Sequence, residues 1–379
     1  MEACLPERVI APHLPEPPTG RTFLLALGKA AAAMARAVET GWRGPLSGLA
    51  AIPRGSGGRL ERVEVIEAVH PVPDESSVAA AERLLALAAG AGGDDLVLVL
   101  LSGGASSLAC LPGAGLDLEA KRSLTRALLR SGASVSEINC VRRHLSLFKG
   151  GRLALAAAPA RLVTLAISDV PGDAPEDIGS GPTAADPTGE KDSRAVLARY
   201  GLAAPERGWS ETPERVAGEY RLVASGKDAL AAAARKAGAL GYRPLVLESR
   251  GEAREVGRGH AELASSLPPG TALISGGEVT VTVRGRGRGG PNQEYALAAA
   301  LALEGRCGIC GLAADTDGID GDSEAAGAFF GCGAEGGETA LAANDSGAWF
   351  AGRGALFTTG PTGTNVSDLR IILTRRPPS

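Results

Sequence analysis

Leu96-Val97-Leu98-Val99-Leu100-Leu101-Ser102-Gly103-Gly104-Ala105-Ser106-Ser107 decides the reading of the fold. Six consecutive apolar residues have the length and unbroken character of a strand covered on both faces. The small residues after it make a turn whose backbone N–H groups form a nest, with serine hydroxyls as further donors to an oxygen anion. Close strand–helix packing is the bland explanation of such a glycine pair. Outward from this stretch the pattern recurs. Leu24–Leu27 runs into Gly28-Lys29 and then Ala30–Met34, a strand, a turn and a helix start. Val63–Ala68, Leu162–Ile167, Leu222–Ala224, Pro244–Leu247, Ala272–Ile274, Val279–Val283, Gly308–Ala313 and Ala355–Phe357 are further strand-like runs between alanine-rich helical stretches. Strands alternating with helices mean βαβ units. With 379 residues the chain exceeds one hydrophobic core. The expected fold class is α/β in two domains, 1–218 and 219–379, each a largely parallel sheet flanked by helices and the first Rossmann-like.

Bulk composition narrows the partners. A net charge of -4 and an aromatic content of 3% supply neither a basic field nor stacking platforms for nucleic acid. No apolar run reaches a membrane span, and Met1-Glu2-Ala3-Cys4-Leu5-Pro6 has neither a basic nor an apolar leader region. A cytoplasmic protein that handles a small molecule is expected, and the bias toward Ala, Gly, Arg and Pro over Lys is that of a GC-rich bacterial genome. In a reducing compartment the six cysteines read as free thiols. Cys307-Gly308-Ile309-Cys310 is a lone CxxC whose cysteines, on a strand, point to opposite faces and read as small core residues. The proline-rich first twenty residues are expected to be loosely ordered, and 184–220 is the expected boundary region.

Four tokens occur in the same order in both halves. The first half has Gly28-Lys29, Ser102-Gly103-Gly104, Ser168-Asp169 and Gly181-Pro182-Thr183; the second has Gly226-Lys227, Ser275-Gly276-Gly277, Asp315-Thr316-Asp317 and Gly360-Pro361-Thr362. Each follows a strand-like run, where ligands of open α/β sheets bind. A lysine at a helix start is unfavourable unless an anion offsets it, which marks Lys29; Asp228 beside Lys227 weakens the second copy. Two lobes facing one phosphate-handling cleft are expected. Asn139, Arg142, Ser146 and Lys149 fall at spacings of three, four and three, one polar stripe on a helix begun by Ser136-Glu137 and running to Gly150-Gly151. Such a stripe suits an anion or is simply a wet face. Asp117 reads as the N-cap of a helix over 118–131. Asp315, Asp317, Asp320 and Asp322 repel one another unless a cation is present; the spacing lacks the last glutamate of a calcium loop. Arg284-Gly285-Arg286-Gly287-Arg288-Gly289-Gly290 satisfies GxGxxG, but an alternating edge-like strand precedes it and no ribose-binding acid follows at the end of a parallel strand.

Together these strings resemble one family. Leu-Gly-Lys29-Ala, His70-Pro-Val-Pro-Asp74, Ser102-Gly-Gly, Asn139-Cys-Val-Arg142-Arg-His-Leu-Ser-Leu-Phe-Lys149-Gly-Gly, Ser168-Asp-Val-Pro-Gly-Asp173 and Ser180-Gly-Pro-Thr are similar to the N-terminal domain of class II glycerate 2-kinases. Ser275-Gly-Gly-Glu278, Gly289-Gly-Pro-Asn292-Gln-Glu294, Asp315-Thr-Asp317-Gly-Ile-Asp320-Gly and Gly360-Pro-Thr-Gly-Thr-Asn365 resemble their MOFRL domain. The resemblance spans about 22–373. It implies transfer of the ATP γ-phosphoryl group to the 2-hydroxyl of D-glycerate in a cleft between two α/β domains, with Mg2+, by a monomer or homodimer. It implies Lys29, Asp317, Asp169 and Arg288 as catalytic groups and Asp317 and Asp315 as magnesium ligands. Phosphates would meet Ser102, Gly103, Gly104, Ser106, Ser180, Gly181, Thr183, Gly276 and Gly277. The substrate would meet His70, Asn139, Arg142, Lys149, Asn292, Glu294, Thr364 and Asn365. Two departures stand out: the leading helix is short or missing, and Pro291 stands where many relatives have Arg, which passes an arginine role to Arg288 or Arg286. Members are also labelled hydroxypyruvate reductases, and a sensor of small phosphorylated acids is a third, non-enzymatic reading.

Overall fold

The computed structural model describes residues 2–375. In the N-terminal unit, Pro6–Val223, the strands are β1 (Thr22–Leu27), β2 (Leu46–Pro53), β3 (Glu64–Ala68), β4 (Leu96–Leu101), β5 (Arg161–Ile167) and β6 (Glu219–Ala224). Among the described residues they form one sheet in the order β3-β2-β1-β4-β5-β6. Strands β1 to β5 pair in parallel, with Leu24 opposite both Gly48 and Leu98. Both faces are covered, as the unbroken apolar runs require. Leu25, Leu27, Val97, Val99 and Leu101 meet Ala80, Ala81 and Leu84 of the helix Glu75–Ala89, while Leu24, Ala26, Leu98 and Leu100 on the opposite face are equally buried. Each leucine or valine so buried stabilises the fold by roughly 1.5–3 kcal/mol.

The second unit comprises the chain from Ala224 onward, joined by the segment up to Leu5. Its strands are β7 (Arg243–Glu248), β8 (Gly251–Glu252), β9 (Thr271–Gly276), β10 (Val279–Thr280), β11 (Ile309–Asp315), β12 (Gly327–Phe330), β13 (Leu356–Phe357) and β14 (Asp368–Thr374). The main sheet runs β13-β12-β11-β14-β9-β7. The α/β class holds, but this sheet is not largely parallel. Only β7–β9 pairs in parallel; β9–β14, β14–β11, β11–β12 and β12–β13 are antiparallel. The cause is connectivity: a loop returns β11 directly to β12, and β14, the last strand, inserts between β11 and β9. The run expected as Val279–Val283 is a two-residue strand paired in parallel with β8 outside the main sheet. The helix Pro291–Ala302 is buried from Asn292 to Ala300 and forms the centre of this core, as expected of a helix without a polar face.

Three organisational expectations are corrected. β6 hydrogen-bonds onto the first sheet, so the first unit extends past 218. Residues 184–220 lie within that unit rather than at its boundary, because Arg152 binds the Ser210 and Glu211 carbonyls and Pro213 accepts from Asp186 N. The first twenty residues contain the helical turns Glu2–Cys4, Pro6–Val9 and Ala11–His13, with Cys4 and Ile10 fully buried.

Candidate active site

At the carboxyl edge of the parallel sheet, three strand ends converge. The turn after β1 is laced to the turn after β4: Ser102 N donates to Leu27 O (3.0 Å), Lys29 N to Gly103 O (2.8 Å) and Ala30 N to Ser102 Oγ (3.0 Å). Gly28, at φ +126, permits this approach; a Cβ there would lie 2.1 Å from Ser102 Oγ. Gly104, also left-handed at φ +83, is flanked by the His70 ring and the Lys29 stem. A Cβ on it would stand 3.1 Å from His70 Nε2 and 3.3 Å from Lys29 Cγ. Thus Lys29, His70 and the Ser102–Gly104 turn gather around one point, and Gly104 lets the His70 ring and the Lys29 stem pack directly against the turn. Asp169 follows the end of β5 on the same edge and is half-buried.

A second layer supports this edge. Ser106 Oγ and Ser180 Oγ are 2.9 Å apart, Ser180 donates to Asn139 Oδ1 (2.9 Å), and Asn139 Nδ2 donates to Asp177 O and Oδ1 (3.2 Å each). Asp177 also meets Ser136 (2.6 Å) and Arg143 (3.1 Å), and Arg143 Nε reaches Asp186 (2.7 Å). Lys149 Nζ is buried and donates to Ser106 O (2.7 Å) and Ala109 O (2.8 Å), holding the turn from beneath. Burial, then the charges of Lys121 and Arg142, push its ammonium down to about 7 against the opposing effect of Cys110. Gly181 O accepts from Gly151 N (2.7 Å), and Thr183 hydrogen-bonds to Thr164 in the interior of β5. Asn139, Lys149, Gly181 and Thr183 are therefore structural parts of the frame. The helix carrying the polar stripe is Val135–His144, so Ser146 and Lys149 lie beyond it, and Asn139 is no wet face. The Asp117-capped helix Leu118–Arg130 is as expected.

Arg142 differs from these neighbours. Half-buried, it lies in the field of Cys110, Lys121 and Lys149 and has no ion-pair or hydrogen-bond partner among the described residues. A guanidinium so placed is suited to a carboxylate or phosphate.

In the C-terminal unit the Asp315–Asp322 loop is folded on itself. Asp317 N donates to Asp315 Oδ1 and Ile319 N to Asp317 Oδ1, each at 2.9 Å. Thr362 N binds Asp317 O and Thr362 Oγ1 binds Thr316 O (2.5 Å), which brings the Gly360–Thr364 turn against it. Thr364 Oγ1 donates to Cys4 O (2.8 Å) and Asn365 Oδ1 accepts from Ser367 N (3.2 Å). Asp320 is buried and caps the helix Pro291–Ala302 through Asn292 N (2.9 Å) and Gln293 N (2.8 Å); burial pushes its carboxyl up to about 7. Asn292 Nδ2 bridges Asp320 and Asp368. Glu294 is paired with Arg254 (2.8 Å) and Asn344 (2.8 Å). The Gly276 and Gly277 carbonyls are held by buried Arg370. Asn292 and Glu294 are thus committed within the unit. Among the described residues no group of three or more His, Cys, Asp and Glu could hold a metal. Asp315 and Asp317 offer the hard oxygen donors that Mg2+ takes, one or two at a time, when nucleotide phosphates complete its shell.

The glycine–arginine loop is no dinucleotide cradle. Its amides are already used: Arg284 N and Gly285 N by Asn344 Oδ1, Arg288 N by Asp345 Oδ1, and Gly289 N by Asp322 Oδ1. The side chains of Arg284, Arg286 and Arg288 are exposed, and Pro291 occupies the first helical position. The sequence reading missed Asp177, Asp186 and Arg370 as organisers. Arg370, a charge inside the apolar run of β14, was the visible signal for one of them.

Residues 1–209 match the domain of unknown function DUF4147 and residues 271–368 match the MOFRL family. A D-glycerate 2-kinase of Thermotoga maritima is 40% identical over 400 residues, covering 98% of this chain and 95% of the relative. An Agrobacterium vitis protein bearing a hydroxypyruvate reductase name is 48% identical over 397 residues, covering 97% and 90%. The crystal structure of a Thermotoga maritima glycerate kinase superposes with a TM-score of 0.89 at 40% identity, covering 98% of this chain and 96% of that one.

Proposed function

The chain belongs to the glycerate 2-kinase family that joins a DUF4147 domain to a MOFRL domain, and we propose from this premise that it moves the γ-phosphoryl group of ATP to the 2-hydroxyl of D-glycerate. The observation that carries the reading is the convergence of Lys29, His70 and the Ser102–Gly104 turn at the carboxyl edge of the parallel sheet.

In this reading the Lys29 ammonium offsets charge on the phosphoryl oxygens as it grows, while the nest amides and the Ser106 hydroxyl hold the phosphate in line. The unpaired Arg142 guanidinium takes the glycerate carboxylate, and the His70 ring orients the substrate. The 2-hydroxyl oxygen forms the new bond to γ-phosphorus, the bond to the bridging β,γ-oxygen breaks, and ADP leaves. Asp317 or Asp169 accepts the hydroxyl proton. Asp317, with Asp315, would hold Mg2+, which supplies charge neutralisation to the nucleotide phosphates. Arg288, exposed on its loop, takes the arginine role that Pro291 cannot. Phosphoryl transfer consists chiefly of positioning and charge stabilisation, so a lysine, an imidazole and serine and backbone donors gathered at one glycine turn suit it. The protein would act in the cytoplasm as a monomer or homodimer.

The reductase name on the Agrobacterium vitis relative favours a second reading, nicotinamide reduction of hydroxypyruvate. The occupied amides of the 284–290 loop count against it. The test is Lys29→Ala: ADP formation from MgATP and D-glycerate should fall by about 10²–10³-fold, the usual loss for one electrostatic group, with an unchanged melting temperature. An unaltered rate would remove Lys29 from the chemistry.

A further inference from the structure

Cys307 and Cys332, expected to be unremarkable thiols, are both exposed, and their sulfurs lie 2.7 Å apart. The neighbouring Cys310 is exposed as well, contrary to a core role. Cys307 precedes β11 and Cys332 follows β12, so the pair spans the open end of an antiparallel hairpin whose closed end is the Asp315–Asp322 loop. A zinc site does not account for them, since no group of three or more His, Cys, Asp and Glu among the described residues could hold a metal.

We propose that Cys307 and Cys332 are an oxidative modification site, at which a peroxide converts the two thiols into an intramolecular disulfide that ties the base of the carboxylate-bearing hairpin. The hydrogen bond with Cys332 and its nearby charge raise the Cys307 thiol, so Cys307 keeps its proton and the exposed Cys332 sulfur is the one that meets the oxidant. The Cys332 sulfur attacks one peroxide oxygen, the O–O bond breaks, and hydroxide leaves and is protonated to water. The resulting sulfenic acid is attacked by the Cys307 sulfur. The S–O bond breaks, the S–S bond forms, and a second water carries off the Cys307 proton. The two sulfurs lose two electrons in all, and one peroxide is reduced to two waters. The sulfurs are already within about 1 Å of the bonded separation of about 2.05 Å, so little chain movement is required. The closed loop runs from 307 to 332 and contains β11, the acidic loop and β12.

The full chain is treated with an equimolar amount of hydrogen peroxide, its remaining thiols are alkylated, and it is digested without reductant for mass spectrometry. The expected result is a Cys307–Cys332 linked peptide, the loss of two free thiols per chain, and recovery of both with dithiothreitol. Cys310→Ser should retain the link and Cys307→Ser should abolish it. Hydrogen exchange across β11 and β12 should slow several-fold in the oxidised protein. Thiol loss without that peptide, a link through Cys310 instead, or a link between two chains would overturn the proposal.

Discussion

Lys149 shows how a charge can matter without touching substrate. Its ammonium sits on the carbonyls of Ser106 and Ala109, which end the turn that frames the site. Lys149→Met keeps the volume and strands both acceptors. The unfolding free energy in urea should drop by about 2–3 kcal/mol, the cost of leaving buried polar groups unpaired, and a variant of wild-type stability would show that the turn does not depend on the lysine. The spacing of Asn139, Arg142 and Lys149 drew attention to the right segment. It gave the wrong geometry, because the helix stops at His144 and the chain turns to carry Lys149 inward. Local periodicity cannot register where a helix ends if no glycine or proline marks the end, and here the C-cap is Leu145. Arg142 remains the one member of that stripe with an unspent charge.

Individual elements explain why the first unit was readable and the second less so. Unbroken runs such as Leu96–Leu101 have one stable use, a parallel strand covered on both faces. In the C-terminal unit, β14 alternates buried and half-buried residues and pairs antiparallel with both neighbours, a partnership set by contacts far apart in sequence. The GxGxxG string misleads for the same reason, since its amides are consumed by Asn344, Asp345 and Asp322. His260 joins three elements of this unit: its helix Ala253–Ser266, Ser249 after β7 (2.9 Å) and Tyr295 in the central helix (2.9 Å). Burial, with the Arg370 charge second, pushes the imidazole down to about 4. The unfolded chain therefore takes up a proton near pH 6.5 that the folded unit refuses until about pH 4. The stability that the neutral His260 contributes should be full above pH 6.5 and decline as pH falls toward 4, by on the order of 2–3 kcal/mol. Thermal melts of wild type and His260→Gln across that range check this; equal slopes in the two would contradict it.

For the molecule as a whole, the sequence carried the two-unit α/β organisation and the glycine turns at the strand ends, while the framework beneath those turns had to be seen. The turns at Gly28-Lys29 and Ser102–Gly104 were legible because an apolar strand and the small residues that end it coincide within a few positions. Asp177, Asp186 and Arg370 were not, because each acts through hydrogen bonds to residues tens of positions away. No helix among the described residues is long and apolar enough to cross a membrane. Near full-length similarity to a D-glycerate 2-kinase and the shared fold make kinase chemistry the central claim. Phosphorus NMR tests it most directly, with the purified protein incubated with MgATP and D-glycerate beside a parallel sample of hydroxypyruvate and NADH. The account predicts ADP together with 2-phosphoglycerate and no loss of NADH; NADH consumption without any phosphorylated glycerate would contradict it.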